Sequence, residues 1–420
     1  MNNITNLARL YALTAKDRGA KLVAEGILNQ QELETLTKEG NLPLATADRL
    51  IECAIGMGSL PFAIATNFKV NGKDYLVPMS IEEASVVAAA THAAKLALPE
   101  GFIASADEPI MIGQVQLVKV TNKNADHEVL NAKKELIEIA NATNPIMIKL
   151  GGGCREICVA KLRGITGEML VVYLDIDVRD SMGANTVNTM LEKIAPRLEQ
   201  LTGGTARLKI ISNLADKRLA RASVTYKADV IGGSEVVDAI LDAYALADAD
   251  PYRCATHNKG VMNGIDAVVL ATGNDFRAVE AGMHAYAART GTYKPITKWS
   301  KTKDGDLHGE IELPMAVGTV GGAINVLPTA KIALKIANVQ SSKELSMLIA
   351  CVGLAQNFAA LKAIVTDGIN KGHMKLHAKN IAVMAGAKDA EIEQVAKLLH
   401  ESGKVTIDNA QEILKKIRGS

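Results

Sequence analysis

The sequence predicts an α+β protein in which a small domain is inserted into a larger one and a short helical segment ends the chain. Only 3% of the side chains are aromatic, while Ala, Val, Ile and Gly are abundant, which favours close packing of helices on sheets. Between residues 109 and 215, segments with the alternating pattern of strands are interspersed with segments that have helical periodicity. Long helical patterns dominate on both sides of this insertion.

Residues 1–108 are the first part of the large domain. Residues 5–57 have helical periodicity, and Thr46 is a plausible N-cap. A strand over Asp74–Met79 leads through a polar turn into an alanine-rich helix over 84–98. The Gly- and Pro-containing stretch that follows, Pro99 to Pro109, marks the boundary.

Residues 109–215 form the predicted insertion, with helices over 127–142 and Ser181–Leu201. Its predicted strands are 110–120, Pro145–Leu150, Met169–Val178 and Ala206–Ser212. The flanks of Cys154 and Cys158 also favour a strand.

The large domain resumes over residues 216–367, and residues 368–420 are a separate short helical domain. The predicted helices of the resumed part are 235–248, 263–289 and 341–364. A hairpin is expected from Tyr293 to Leu313, with its turn at Lys303–Asp306.

Composition excludes several classes of function. The net charge of +1 and the few aromatic residues argue against a nucleic-acid or anionic-membrane partner. Five scattered cysteines are typical of free thiols in a reducing compartment. We find no secretory signal and no stretch of about 20 apolar residues, so we expect a cytoplasmic protein.

Neither of the usual glycine-rich phosphate-binding patterns, the P-loop or the Rossmann fingerprint, occurs. Asp180-Ser-Met182-Gly183-Ala-Asn185 instead connects a predicted strand directly to a helix, whose free N–H groups could hold a pyrophosphate. The simpler interpretation is a strand–helix turn with Asp180 as the N-cap.

Arg253, Lys259 and Asn263 lie close together ahead of a predicted helix, in a segment that could approach an anionic substrate. Asp275 follows 16 residues after Lys259. Because a helix spanning both would be about 24 Å long, we expect Lys259 to fold back from a loop to meet Asp275. Alternatively, Lys259 and Asp275 are solvated surface charges.

Three further groups of residues could carry chemistry. His373 and His377 have the i, i+4 spacing of a zinc site, but no third ligand is close, and a general acid is the better interpretation of His373. Glu82 and Glu83 lie at a helix start, where they could simply complement the helix dipole. Cys154 lacks a neighbouring base and is expected to be an inert thiol.

Taken in order, these segments resemble the class II 3-hydroxy-3-methylglutaryl-coenzyme A (HMG-CoA) reductases. The resemblance covers nearly the whole chain. The matching motifs are Glu82–Ala90, Leu150–Ile157, Asp180–Asn188, Ile211–Asp216, His257–Asp266, Ala271–Asp275, Val320–Ala323 and Gly372–His377.

The resemblance implies a four-electron reduction of HMG-CoA to mevalonate and free CoA by two NAD(P)H, or the reverse, through mevaldyl-CoA hemithioacetal and mevaldehyde. Lys259 would stabilise the developing oxyanion. His373 would protonate the CoA thiolate, and Glu83 would donate a proton to the aldehyde oxygen. Asp275 would hold Lys259 and Glu83 in one hydrogen-bonded network. No metal is implied.

The resemblance also assigns binding roles. Ser85, Arg253, Asn263 and, more weakly, Gln356 would hold the HMG group. The dinucleotide would lie in the insertion, a non-Rossmann, ferredoxin-like domain; its candidate residues are Asp180, Met182, Gly183, Asn185 and Asn213. Residues 368–420 would form a C-terminal flap. The minimal unit would be a homodimer with the active site at the subunit interface, open to further assembly into hexamers.

The sequence departs from the family at a few positions. Ala84 replaces a common Pro, and Ile324-Asn325-Val-Leu-Pro replaces a Thr-x-x-His-Pro pattern. Asn144 stands where an NADH-preferring relative has a carboxylate, so NADPH and NADH both stay admissible, with a slight lean to NADPH.

The alternative functions are a CoA-dependent acyltransferase and a non-catalytic sensor. A CoA-dependent acyltransferase would use Cys154 as its nucleophile and would consume no NAD(P)H. A non-catalytic CoA or nucleotide sensor would lack an acid–base residue, whereas Glu83, Lys259, Asp275 and His373 are all present. The complete set favours the reductase.

Overall fold

The structure is a computed structural model that describes residues 7, 10–38, 42–366, 368 and 378–419. The chain builds one two-stranded sheet, two four-stranded sheets and the helices that pack on them within these ranges. This is a mixed α+β architecture, as the sequence predicts.

The first part of the chain contains three helices and a hairpin. The helices are α1 (Ala15–Ala24), α2 (Gln30–Thr37) and α3 (Leu44–Leu50). Strand β1 (Phe62–Val70), which the sequence analysis missed, pairs antiparallel with β2 (Lys73–Ser80). Helix α4 (Val86–Leu96) then buries its alanine face, Ala90, Ala93 and Ala94, in the main core.

The insertion is a four-stranded antiparallel sheet covered by helices. Its strands are β4 (Ile110–Val118), β5 (Gly153–Gly164), β6 (Gly167–Asp177) and β7 (Thr205–Ile211), in the order β5-β6-β4-β7. Its helices are α5 (Ala125–Asn131), α6 (Lys133–Asn141), α7 (Pro145–Lys149) and α8 (Ala184–Thr202). Alternate residues of β4 are buried, so one face of the sheet packs on the helices in a separate core.

The prediction of a strand over Pro145–Leu150 is wrong. These residues begin the short helix α7, with Pro145 in its first turn and the Asn144 side chain accepting from the Met147 N–H at 3.1 Å. An apolar run of this length is compatible with the period of a strand and with that of a helix. Here the Asn144-Pro145 pair favours a helix start.

The second four-stranded sheet belongs to the main core. Its strands are β3 (Ile103–Ala106), β8 (Leu219–Tyr226), β9 (Thr297–Lys301) and β10 (Leu307–Pro314), in the antiparallel order β3-β8-β10-β9. The helices of this part are α9 (Ala228–Ile231), α10 (Ser234–Ala249), α11 (Pro251–Ala271), α12 (Phe276–Ala287), α13 (Pro328–Ala337) and α14 (Ser342–Val365).

Helix α14 differs from the expectation that no stretch is long and apolar enough to span a bilayer. It is the one helix within the described ranges that meets this test, and 67% of its most apolar window is buried in the protein. Gly353 on α14 allows close approach to α11, since a Cβ there would lie 2.8 Å from Ile265.

The end of the chain forms its own small helical core. Residues 378–384 are helical (α15), followed by α16 (Ala390–Ser402) and α17 (Ile407–Arg418). Val395, Leu399 and Leu414 are buried in this cluster. The helical prediction for this segment agrees with these residues.

Candidate active site

The centre of the site is an ion pair between two distant parts of the chain. The Lys259 ammonium lies 3.0 Å from Glu83 Oε2, and the Asn263 amide donates to the same oxygen at 3.4 Å. The Glu83 side chain is 35% exposed and that of Lys259 is 61% exposed, so the pair opens to solvent. A carboxyl, an ammonium and an amide thus converge on one accessible point.

Glu83 lies in the turn between β2 and α4. Ser85, the N-cap of α4, has φ +79 and ψ −22, a left-handed conformation that non-glycine residues seldom adopt. Such strain concentrates at functional sites, where the surroundings impose it. The sequence analysis correctly placed Glu83 and Ser85 at a strand-to-helix turn.

Lys259 lies inside a helix, which corrects the expectation that it folds back from a loop. Helix α11 is continuous from Pro251 to Ala271, with Asp250 as its N-cap. Lys259 and Asn263 are four residues apart and therefore share one helix face. Their arrangement on a rigid element fixes both side chains relative to Glu83.

Two substrate candidates carry polar groups without partners. Arg253 is half-buried, and its guanidinium makes no hydrogen bond or ion pair to any described residue; burial lowers its pKa. Gln356 on α14 is only 6% exposed, and its Oε1 is buried without a donor in the same described set. Gln356 packs on α11 at Gly264, because a Cβ added to Gly264 would lie 2.9 Å from the Cβ of Gln356.

Asp275 does not join the Lys259–Glu83 pair within the described chain. It caps α12, accepting from the N–H groups of Arg277 and Ala278 at 3.0 and 3.2 Å, and it pairs with the Arg277 side chain. The Asn274 N–H bonds to Val269 O near the end of α11. Val269 lies 10 residues from Lys259, about 15 Å along the helix. Within the described chain, Asp275 therefore does not join Lys259 and Glu83 in the expected hydrogen-bonded network.

The remaining catalytic candidate, His373, lies outside the described residues, as does His377. Across the described ranges, no group of three or more His, Cys, Asp and Glu side chains could hold a metal ion.

The candidate dinucleotide residues surround the start of α8. Gly183, the N-cap, has φ +100, and a Cβ there would lie 2.5 Å from Val178. No side chain caps the first N–H groups of this 19-residue helix. Of the other candidates at this helix start, Asn185 is exposed and Met182 is half-buried. The alternative that Asp180 is the N-cap is wrong, because its Oδ1 accepts from the Ser342 N–H at 2.8 Å instead.

Asn213 and Asn144 lie on two separate loops of the insertion. The end of β7 contacts the beginning of α8, because Ile211 N donates to the Asn188 side-chain oxygen at 2.9 Å. Asn144 uses its side-chain oxygen as the cap of α7, which leads into the Gly151–Gly153 turn. Asn213 thus follows a strand end that contacts α8, with its main chain against Gly282 of α12, and Asn144 lies at the head of another turn of the same domain.

Sequence reasoning missed two residues near these loops. Arg218 is only 4% exposed and donates to main-chain oxygens of Ser181 and Val317. Asn274 binds the main chain of Gly318 through both side-chain atoms. A signal existed for Asn274, which lies within a matching motif; nothing in the local pattern marks Arg218 as buried.

It also missed a half-buried carboxyl pair beside α11. Asp266 on α11 is hydrogen-bonded to Glu280 on α12, and burial with this bond raises the pKa of Asp266 to about 8. His284 lies 2.7 Å from Glu280 and 2.8 Å from the Tyr293 hydroxyl. Two carboxyl groups can share a hydrogen bond only by holding a proton.

Cys154 agrees with the expectation of a buried, inert thiol, whereas Cys158, for which the same was expected, is exposed. Cys154 is 4% exposed, and burial raises its pKa to about 12. Such a thiol is neutral near pH 7 and therefore a poor nucleophile.

The chain is similar to proteins of one family. Residues 15–378 match the family described as hydroxymethylglutaryl-coenzyme A reductase. A 3-hydroxy-3-methylglutaryl-coenzyme A reductase of Archaeoglobus fulgidus is 52% identical over 410 residues, covering 97% of this chain and 94% of that protein. The class II enzyme of Streptococcus pneumoniae, solved with NADPH in open conformations, has a TM-score of 0.81 at 40% identity and covers 97% and 100% of the two chains. Another structure of that bacterium's reductase has a TM-score of 0.82, at 40% identity, and covers 97% and 99%.

Proposed function

The chain belongs to the hydroxymethylglutaryl-coenzyme A reductase family of oxidoreductases, as its resemblance to the class II enzymes indicated, and on this premise we propose that it interconverts HMG-CoA and mevalonate with two NAD(P)H. Reduction consumes two hydrides and two protons and releases free CoA. The single observation that carries the proposal is the convergence of Lys259 and Asn263 on Glu83 Oε2.

The polar groups match the charges that this reaction develops. The Lys259 ammonium would stabilise the oxygen of the thioester as it becomes the mevaldyl-CoA hemithioacetal, and removal of such a donor typically costs about 10²–10³ in rate. Glu83 would protonate the oxygen of mevaldehyde in the second reduction. His373 would protonate the thiolate of CoA as it leaves.

Two of the residues that would hold the HMG group, Arg253 and Gln356, have polar atoms without a partner in the described chain. The half-buried Arg253 guanidinium is suited to a carboxylate, because it carries a charge that no described residue neutralises. Gln356 Oε1 needs a donor, which the HMG hydroxyl would supply. Ser85 and Asn263 complete the proposed set.

The insertion fits a dinucleotide. The uncapped N–H groups at the start of α8 could hold a pyrophosphate, and glycine at position 183 lets this loop pack tightly on Val178 in a left-handed conformation. When bound, the nicotinamide supplies the hydride. Asp180, Met182, Gly183, Asn185 and Asn213 would position it, in a domain whose strand order supports the ferredoxin-like assignment.

NADPH is the proposed cofactor, with NADH as the alternative. The Streptococcus pneumoniae relative is described with NADPH bound. Asn144 carries no charge that would repel a 2′-phosphate.

We place the complete active site between two copies of the chain. Asp275 lies too far from Lys259 to join it within one chain, so a second copy would have to supply the carboxylate. Residues 368–420 would act as the flap that brings His373 to the substrate. Homodimers are the minimal unit of this arrangement, in a cytoplasmic enzyme whose partners are HMG-CoA, mevalonate and CoA.

The test is absorbance of the nicotinamide band with HMG-CoA and with each of NADPH and NADH. Oxidation of about two NAD(P)H per CoA released supports the proposed function. CoA release without nicotinamide oxidation would contradict it and favour an acyltransferase.

Two variants separate the steps. His373→Gln should impair reduction of HMG-CoA but largely spare reduction of free mevaldehyde, which releases no thiolate. Lys259→Ala should fail on both substrates by about 10²-fold or more. Equal losses in His373→Gln would remove it from the proposed role, and Lys259→Ala with a tenth of the wild-type turnover would remove Lys259 from the oxyanion role.

A further inference from the structure

Residues 315–320, here called the strap, run between the loop that ends at Asp275 and the loop that precedes α8. On one side, the Asn274 side chain binds both main-chain groups of Gly318. Its Oδ1 accepts from Gly318 N at 2.7 Å and its Nδ2 donates to Gly318 O at 3.0 Å. The same Nδ2 also donates to the Thr272 hydroxyl at 3.1 Å. The amide of Asn274 is therefore fully directed by its surroundings.

On the other side, the strap lies against the proposed dinucleotide loop. A Cβ on Gly318 would be 2.7 Å from Met182 N and 2.9 Å from Asp180 O, so only glycine allows this approach. Thr319 N donates to Asp180 O at 2.8 Å, and Ser181 forms a parallel bridge with Val320. One residue, Gly318, thus separates the Asn274 side chain from the 180–182 main chain.

Arg218 holds the same two segments from within the protein. Its Nη1 donates to Ser181 O at 3.1 Å and its Nη2 to Val317 O at 2.5 Å. Burial lowers the pKa of Arg218 to about 10, and Asp180 opposes that shift. With this pKa the Arg218 guanidinium is still charged near neutral pH. It therefore remains a hydrogen-bond donor to both the loop and the strap.

We propose that Asn274 and Arg218 are positioning residues for the reductase reaction, which hold the dinucleotide loop at a set distance from Asp275 through the strap. The proposal rests on the proposed function, because the loop matters only if it binds the dinucleotide. A misplacement of about 1 Å in a reacting group can cost roughly 10²-fold in rate. A double-sided clamp on one glycine is a direct way to prevent it.

The decisive variant is Asn274→Ala, which removes both bonds to Gly318. We expect the KM for the dinucleotide to rise several-fold and kcat to fall about 10- to 100-fold, while the KM for HMG-CoA changes less than about twofold. Deuterium exchange of the peptide 178–183 should also become faster.

Asn71 provides a matched control. Its side chain clamps Ala104 in the same way, accepting from Ala104 N and donating to Ala104 O, both at 2.9 Å, between elements that carry no proposed site residue. Asn71→Ala should lower thermal stability at least as much, because Asn71 also has φ +50, and yet leave both Michaelis constants unchanged. The proposal would be overturned if Asn274→Ala and Asn71→Ala both raised the KM for the dinucleotide and the KM for HMG-CoA by the same factor.

Arg218→Lys keeps the charge but not the two-pronged donor, and we expect a smaller change in the same direction. Unchanged dinucleotide KM and unchanged exchange at 178–183 in Asn274→Ala would refute the positioning role. If the wild-type chain binds NADPH, seen as quenched protein fluorescence, but reduces no HMG-CoA, the proposed function is refuted. In that case the NADPH dissociation constants and the deuterium-exchange rates of the variants still test whether the strap positions the dinucleotide loop. Wild type that binds no dinucleotide overturns both.

Discussion

The half-buried pair of Asp266 and Glu280 predicts an unusual dependence of stability on pH. Asp266 shares a hydrogen bond with Glu280, and its Oδ1 has no other partner among the described residues. Burial raises the pKa of Asp266 from 3.8 to about 8. Replacing Asp266 by Asn keeps a hydrogen-bond donor toward Glu280 and removes the titration.

The sign follows from where the proton is held. Below pH 4 both the folded and the unfolded chain carry the proton, and the stabilisation is fully present. Between about pH 4 and 8 only the folded chain retains it, so the free energy of unfolding falls as pH rises, by at most ~1.4 kcal/mol per pH unit for one proton. From pH 5 to 7 that is at most about 3 kcal/mol. For 420 residues unfolding together this corresponds to a Tm change of about 3 °C.

The assay is thermal unfolding of wild type and Asp266→Asn at pH 5, 6 and 7. We expect the wild-type Tm to fall relative to that of the variant as pH rises. Asp242→Asn, at an exposed position of α10, is the matched control and should follow wild type. Parallel curves for wild type and Asp266→Asn would refute the inference that this pair holds a proton at neutral pH.

Two further predictions concern the dinucleotide and the thiols. Asn144→Asp keeps the cap on Met147 N but adds a carboxylate, which repels a 2′-phosphate. The ratio of kcat/KM for NADPH to kcat/KM for NADH should therefore fall about 10-fold or more. An unchanged ratio in initial-rate measurements would place Asn144 away from the ribose. Cys154→Ser should retain turnover within about threefold, since the buried thiol stays neutral; loss of activity would instead support a Cys154 nucleophile.

Much of the fold is predictable because periodicity is local. The strand before Glu83, the alternation of β4 and the 24-residue helix α14 all follow from side-chain spacing that a single element satisfies by itself. The errors fall where spacing is ambiguous. The five-residue helix α7 is too short for its apolar run to distinguish two periods, and α11 contains Gly260 and Gly264, which suggested a loop.

These glycines have a tertiary explanation. Gly264 lies against Gln356 and Val352 of α14, where a Cβ would approach within 2.9 Å. The helix tolerates the loss of intrinsic propensity because close packing of α11 on α14 compensates for it. Propensity alone therefore misjudged the segment that carries Lys259.

The candidate site shows the same division. The resemblance identified Glu83, Lys259 and Asn263 as functional residues, but their convergence joins positions 176 and 180 residues apart. The structure also kept Asp275 out of this pair, since a continuous helix separates it from Lys259. Nothing in the order of residues reveals that separation, which depends on whether the intervening segment is a helix or a loop.

By itself the sequence determined the mixed α+β class, the motifs of the family and the chemical types of the site residues, because each depends on neighbouring residues or on short patterns. Only the tertiary structure decided which charges are paired, buried or left without a partner. Desolvation and Coulomb interactions depend on three-dimensional distance, so the raised pKa of Asp266, the unpaired Arg253 and the clamp of Asn274 on Gly318 arise only when the chain has folded.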